Sequence, residues 1–505
     1  MAARYDVIIR GARVIDGSGA PAFEADVATK GDRVEAVGAP EGDADFEIDA
    51  QGLALAPGFI DVHTHDDFAA VLHPDMGFKL EGGVTTCVVG NCGMGAAPHR
   101  EASLLARAFH PNQTLPEWDG YAGYLDRLNL HPASVNIAAL VGHGTIRLAG
   151  MGGNAKREPS SAELQSMKDL LGEGLHAGAV GLSTGLIYEP GRYAQTDEIV
   201  ELAAEMRDAR AVYATHMRDE GAHLVDSVAE AIEIGERAGV PVQISHHKAS
   251  GRANWGKVAD SLALIEKARD RGVDVSADQY PYTAGSTILS AILRNDGLRA
   301  GEGGIGSLSG DDVVIASTAS HPEWEGRSIA DFAEEWGLEA QEAGDRVLAQ
   351  EPLASVVIHS MSEDDVLRVM AHETTMIGSD GIPTLEGRPH PRLYGSFARV
   401  LGHYARDAGV FPLEQAVHRM TGMSATKFGL ADRGFVREGH FADLVVFDPN
   451  TIADVGTYED PHHAPRGIHQ VFVNGAHAVG DGVHTGARSG RPLRRSTPRA
   501  PSPID

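Results

Sequence analysis

The chain has 505 residues, 42% of them hydrophobic, which is enough to bury a large core and suggests two or three folded units. Seventy-one acidic against 43 basic residues give a net charge of −28, which repels nucleic acid and anionic lipid and favours a small-molecule partner. The two cysteines, Cys87 and Cys92, are too close in sequence to staple such a chain. No apolar run reaches the ~18 residues of a membrane span, and the start lacks a long apolar stretch, so a cytoplasmic location is expected.

The first segment reads as short β-branched strands punctuated by glycine, "YDVIIRGARVIDGSG" and "ADVATKGDRVEAVG". The same style returns near the end in "GHFADLVVFDP" and "QVFVNGAHAV", where Asn474-Gly475 signals a hairpin. Residues 1–57 and 426–485 are therefore expected to form one discontinuous β domain.

Between them, short apolar strands alternate with amphipathic helices. Eight strands are legible: "GFIDVH" (58–63), "VTTCVV" (84–89), "SVNIAALVG" (134–142), "AGAVGLS" (177–183), "AVYATH" (211–216), "PVQISH" (241–246), "VDVSAD" (273–278) and "TTMIGSD" (374–380). A capping box, Ser160 to Glu163, opens one intervening helix, and another is predicted from about Gly221 to Ala238 with Gly239 as its C-cap. Eight βα units predict an α/β fold: a TIM-like (β/α)8 barrel over residues 58–425. The last two strands lie too far apart for one helix, so residues of about 295–350 are expected to be a lid-like insertion on the loop face. The proline-rich, basic tail, 486–505, reads as disordered.

Five of these strands end in, or lead into, a group able to bind metal or move a proton: His63 and His65, Cys92, His216, His246 and Asp380. In a barrel such ends converge on one pit. His63 and His65 are two apart, so on an extended strand they face the same way. A thiolate with imidazoles suits Zn²⁺, and a carboxylate such as Asp380 can move the proton of an acidified water. Cys92 follows the end of an apolar strand, in a turn, as a ligand does; Cys87, inside the strand, is expected in the core. His143 also ends a strand and stands as a supporting residue, and His247 as a neighbour of a ligand.

"APGFIDVHTHDD" resembles the amidohydrolase superfamily of metal-dependent hydrolases. "VVGNCGMGAAP", "GLSTGLIYEPG", "THMRDEG", "ISHHKASG", "DQYPYTAGST" and "GSDGIPTLEGRPHPRLYGSFARVLG" narrow the resemblance to the N-acyl-D-amino acid deacylases, the D-aminoacylases, over nearly the whole chain except the tail. The resemblance implies zinc held tightly on Cys92, His216 and His246, with His63 and His65 forming a weaker second site near Asp380. The fourth strand lacks the bridging carboxylated lysine of most two-metal relatives. The resemblance further implies hydrolysis of N-acyl-D-amino acids to a carboxylate and a free D-amino acid. It makes Asp380 the base and acid, has Lys248, Tyr280 and Arg392 cradle the substrate carboxylate, and puts Tyr188 and Ser286 in the pocket wall. Alternatives are a cyclic amidase of the dihydropyrimidinase or dihydroorotase kind, and a catalytically silent binding protein on the same barrel.

Overall fold

The computed structural model describes residues 3–107, 109–110, 113–294, 297–298 and 308–495. All eight expected strands form the barrel: Phe59–Asp61, Val84–Val89, Asn136–Gly142, Gly181–Gly185, Val212–His216, Val242–Ile244, Val275–Gln279 and Thr375–Ile377. Each pairs in parallel with the next, in chain order. Between the eighth and the first strand the closure is an isolated bridge, Thr64 to Gly381. The barrel interior is apolar at its base, where Ile60, Val88, Ala138, Val212 and Met376 meet Phe428 from the helix Gly422–Phe428.

The outer helices follow their sequence signals. Ser160 accepts from the Glu163 amide and Glu163 bonds back, starting the helix Ser161–Ala177. The next predicted helix ends on left-handed Gly239 but begins at Leu224 rather than Gly221. Asp219 Oδ1 accepts from the amides of Gly221 and His223, at 2.7 and 3.0 Å, and holds that stretch as a turn.

The N- and C-terminal segments share one nine-stranded sheet, in which Ala54–Pro57 pairs antiparallel with Leu444–Phe447. The hairpin Ile468–Val473 to Ala476–Gly480 turns at Asn474 and Gly475, both at positive φ (50° and 79°), as a primed turn requires.

The insertion between the last two barrel strands is larger than its expected 295–350. A three-stranded sheet, with Gly285–Ile288 and Val313–Ser317 on either side of Ser355–Ile358, carries the helices Ile329–Trp336 and Ala340–Gln350 over its own apolar core. Residues 295–296 and 299–307 of the expected insertion lie outside the described residues. The tail also departs from expectation over 486–495. Pro492–Leu493 adds a short parallel strand beside Ile137 and Ala138, Arg494 Nη1 donates to the Ala177 carbonyl at 2.7 Å, and Arg495 Nε to that of Ala209 at 2.8 Å. Its arginines cap barrel carbonyls, a role that composition does not reveal. Residues 496–505 lie outside the described residues.

Candidate metal centre

The carboxyl ends of the strands bring His63, His65, Cys92, His216, His246 and Asp380 together in one buried pit. Cys92, His246 and Asp380 all have left-handed backbone, with φ of 53°, 35° and 49°. Such conformations cost energy for non-glycine residues and persist where the surroundings enforce them. Around Cys92 the enforcement is visible. Gly90 and Gly93 take positive φ, Asn91 Nδ2 donates to the Val88 carbonyl at 2.8 Å, and a Cβ on Gly185 would meet the Cys92 carbonyl oxygen at 2.1 Å.

Cys92 Sγ lies 3.7 Å from His216 Nδ1, 3.7 Å from His246 Nε2 and 3.4 Å from His63 Nε2. A tetrahedral zinc with bonds of about 2.3 Å to sulfur and about 2.0 Å to nitrogen sets S···N separations of about 3.5 Å, so these spacings are close to those of a zinc site. Burial raises the Cys92 thiol, but His63 and the hydrogen bonds from His216, His246 and His63 outweigh it and hold the group well below the ordinary range. A thiolate is the form a metal takes.

Asp380 Oδ1 is 3.4 Å from His63 Nε2 and 3.2 Å from His65 Nε2, and its Oδ2 is 2.9 Å from Arg392 Nη1. Burial opposes its ionisation, yet Arg392, His246 and His63 keep it well below the usual carboxylate range. His63, His65 and Cys92 form a second possible ligand trio.

The five expected substrate-side residues stand around this pit. Tyr188, Lys248, Tyr280 and Ser286 line a cavity of about 180 Å³ together with His65, Cys92, His216, His246 and Asp380. His63 and Arg392 lie just behind that surface, each touching Asp380. The Arg392 guanidinium packs 4.5 Å over the Tyr280 ring and donates through Nη2 to the Ser286 carbonyl at 3.1 Å, while its buried Nε has no hydrogen-bond partner among the described residues. Tyr188 packs its ring on His216 and shares a 3.0 Å hydrogen bond with Thr287.

Two carboxylates escaped the sequence reading. Glu220 Oε1 lies 2.8 Å from His246 Nδ1 and 2.6 Å from Lys248 Nζ, and so joins a metal-facing histidine to a substrate-facing lysine. Its signal was present in "THMRDEG", four residues beyond His216. Asp278 contacts His63 Nδ1 at 3.2 Å and accepts from the His246 amide at 2.8 Å. It is the penultimate residue of the seventh strand, Val275–Gln279, near the end at which other strands present their polar groups.

His143 lies away from the pit, in a buried cluster with Glu198 (2.9 Å) and Arg147. His247 faces Ser261 at 2.8 Å, and burial lowers it to about 4. Cys87 is fully buried in the core, as expected.

Comparison with known proteins identifies the family. An amidohydrolase family model matches residues 47–479. D-aminoacylase of Alcaligenes xylosoxydans xylosoxydans is 44% identical over 498 residues, spanning 97% of this chain and 98% of that protein. N-acyl-D-glutamate deacylase of the same organism is 42% identical over 507 residues, spanning 100% and 99%. Among solved structures, N-acyl-D-glutamate deacylase of Bordetella bronchiseptica, complexed with zinc and a phosphonate mimic of the tetrahedral intermediate, superposes with a TM-score of 0.86 at 40% identity, covering 97% of this chain and 100% of that one. With relatives this similar along almost their whole length, the chain belongs to the amidohydrolase family, in its group of N-acyl-D-amino acid deacylases.

Proposed function

We propose that this protein hydrolyses the amide bond of N-acyl-D-amino acids, yielding a carboxylate and the free D-amino acid, with zinc as its cofactor. The observation that carries this reading is the Cys92, His216 and His246 trio at zinc-ligand spacing beside the ionised Asp380. Bound there, zinc supplies Lewis acidity that acidifies a water and polarises an acyl carbonyl.

The remaining steps belong to side chains of this chain. Asp380 accepts a proton from the water as its oxygen attacks the acyl carbon, and delivers it to the nitrogen as the C–N bond breaks. Its position between His63, His65 and Arg392 favours the ionised form that begins the cycle. Lys248 contributes a point charge and Tyr280 a hydroxyl toward the substrate carboxylate, while Arg392, behind the cavity surface, adds positive charge and holds Asp380 and the Ser286 carbonyl in place. Glu220 orients both His246 and Lys248.

The wall beyond these groups favours an apolar D-side chain. Ile187, Ile288, Ile292 and Ile358 line it, beside the carboxylate of Glu189. That carboxylate is held by Lys156 and Arg294, at 3.2 and 3.3 Å, and by hydrogen bonds from Tyr193 and Asn154. A cyclic amidase of the dihydropyrimidinase or dihydroorotase type is the weaker reading, because the fourth strand, GLSTG, has no lysine to bridge two metals. No described helix is long and apolar enough to cross a membrane. A cytoplasmic location belongs to the same reading.

Amine release from N-acetyl-D-methionine, N-acetyl-D-glutamate and N-acetyl-D-aspartate tests the proposal. Preference for methionine is expected. Release from the acidic substrates alone would reject the side-chain assignment, and release from none would reject the deacylase.

A further inference from the structure

The barrel's weakest seam carries its most demanding chemistry. Every other pair of neighbouring strands shares a ladder, whereas the first and eighth meet at the single bridge Thr64–Gly381. His63 and His65 stand on one side of that seam and Asp380 on the other, so its spacing sets the distance between Asp380 and both histidines. The trio of Cys92, His216 and His246 follows the second, fifth and sixth strands and does not depend on it.

A buried lysine spans the seam from below. Lys79, on the short turn of helix Gly77–Leu80, is 2% exposed. Its Nζ donates to Asp61 Oδ2 and to Ser379 Oγ, both at 2.7 Å, and lies 3.5 Å from Asp66 Oδ2. Asp61 precedes His63 by two residues, and Ser379 immediately precedes Asp380. Asp61 Oδ1 accepts from the Ser379 amide at 2.8 Å, and Ser379 Oγ accepts from the Gly381 amide at 3.0 Å. The main chain then closes the loop, with the Asp380 amide donating to the His63 carbonyl at 2.7 Å and the His65 amide to the Gly381 carbonyl at 3.0 Å. A buried ammonium with this many partners is retained at a desolvation cost, and no substrate-facing group touches it.

We propose that Lys79 is a positioning residue for the deacylation reaction: through Asp61 and Ser379 it fixes the first strand against the eighth and thereby holds Asp380 in register with His63 and His65. This rests on the functional reading above, in which Asp380 moves the proton. Lys79 touches neither substrate nor metal, so it acts on turnover through geometry. Ångström-scale displacement of a proton-transfer group costs on the order of 100-fold in rate.

The test uses the full-length, zinc-loaded enzyme with two substitutions. Lys79→Met removes the ammonium; Ser379→Ala removes its hold on the eighth strand together with the Ser379 hydroxyl's own bonds to Asp61 Oδ2 and the Gly381 amide, and leaves the Lys79–Asp61 pair intact, so it carries the test of the seam if Lys79→Met does not fold. Four quantities are measured: kcat and KM for an N-acetyl-D-amino acid, zinc stoichiometry, and amide hydrogen exchange by mass spectrometry. Expected is a fall in kcat of about 10- to 100-fold for Lys79→Met and a smaller one for Ser379→Ala. KM should stay within about threefold because the carboxylate cradle is untouched, zinc should remain, and exchange should quicken only in peptides spanning residues 61–66 and 377–382. Unchanged kcat in both folded variants would overturn the proposal, as would loss of zinc together with activity or uniformly faster exchange, which would mark a merely structural lysine. If the wild type releases no amine from any N-acyl-D-amino acid, the functional reading fails by itself. The exchange pattern then decides whether Lys79 holds the seam.

Discussion

Replacing Glu220 with glutamine keeps its size and removes its charge. In the wild type, Glu220 Oε1 serves His246 Nδ1 at 2.8 Å and Lys248 Nζ at 2.6 Å, and its Oε2 faces His216 Nε2 at 3.7 Å. Glutamine offers one accepting oxygen where the carboxylate offers two, and it cannot neutralise the lysine. Losing a carboxylate behind a metal-binding histidine typically costs 10- to 100-fold in metal affinity, about 1.4 to 2.7 kcal/mol. Lys248, only 12% exposed at its side chain, would also lose its counter-charge, which is costly enough in a buried site to make it swing or deprotonate. Zinc affinity, measured by competition with a chromophoric chelator, should therefore fall by about 10- to 100-fold while KM rises by about tenfold. At saturating zinc, kcat should change much less, because Asp380 is untouched. A folded variant with wild-type zinc affinity and wild-type KM would refute the reasoning.

Three further substitutions address separate parts of the account. Asp380→Asn should keep zinc near one per chain by elemental analysis and lose turnover by about 100- to 10,000-fold, the scale of a missing general base; retained turnover would reject the proposed proton path. Cys92→Ala should lose the zinc itself, and full metal stoichiometry in that variant would show that Cys92 is no ligand. Lys427→Met concerns stability alone. Lys427 Nζ pairs with Asp274 Oδ1 at 2.8 Å, and burial lowers it to about 8 from 10.5. Its folded pKa lies below its unfolded one, so the wild type is penalised below pH 8 and the penalty disappears as pH rises from about 8 to 10.5. The variant should be more stable than wild type by about 3 kcal/mol at pH 7, and the gap should close near pH 10.5 in urea titrations. A gap independent of pH would contradict the assignment.

The barrel was legible because its strands are short apolar runs separated by helix signals, and five of them end in, or lead into, a group able to bind metal or move a proton, which exposed the site. His63, Cys92, His216, His246 and Asp380 stood out as chemistry-bearing residues where apolar runs stop. Glu220 and Asp278 did not, because 71 acidic residues make any one carboxylate look like a solvated charge. Only the fold shows both buried against histidines. The insertion was underestimated because its flanking strands, Gly285–Ile288 and Ser355–Ile358, are four residues each and pair across a long sequence gap. The tail misled through composition: proline and arginine suggested solvent, while Arg494 and Arg495 instead find carbonyls at the edge of the barrel. Lys79 gave no sign, since a lone lysine near an apolar run reads as surface until its partners 18 and 300 residues away are seen.

Zinc-dependent, D-selective amide hydrolysis is most directly tested by measuring zinc per chain and amine released from paired N-acetyl-D- and N-acetyl-L-methionine on one preparation. Zinc near one per chain with release from the D-enantiomer alone is the predicted result. Equal release from both enantiomers, or D-specific release from enzyme that holds no zinc, would contradict it.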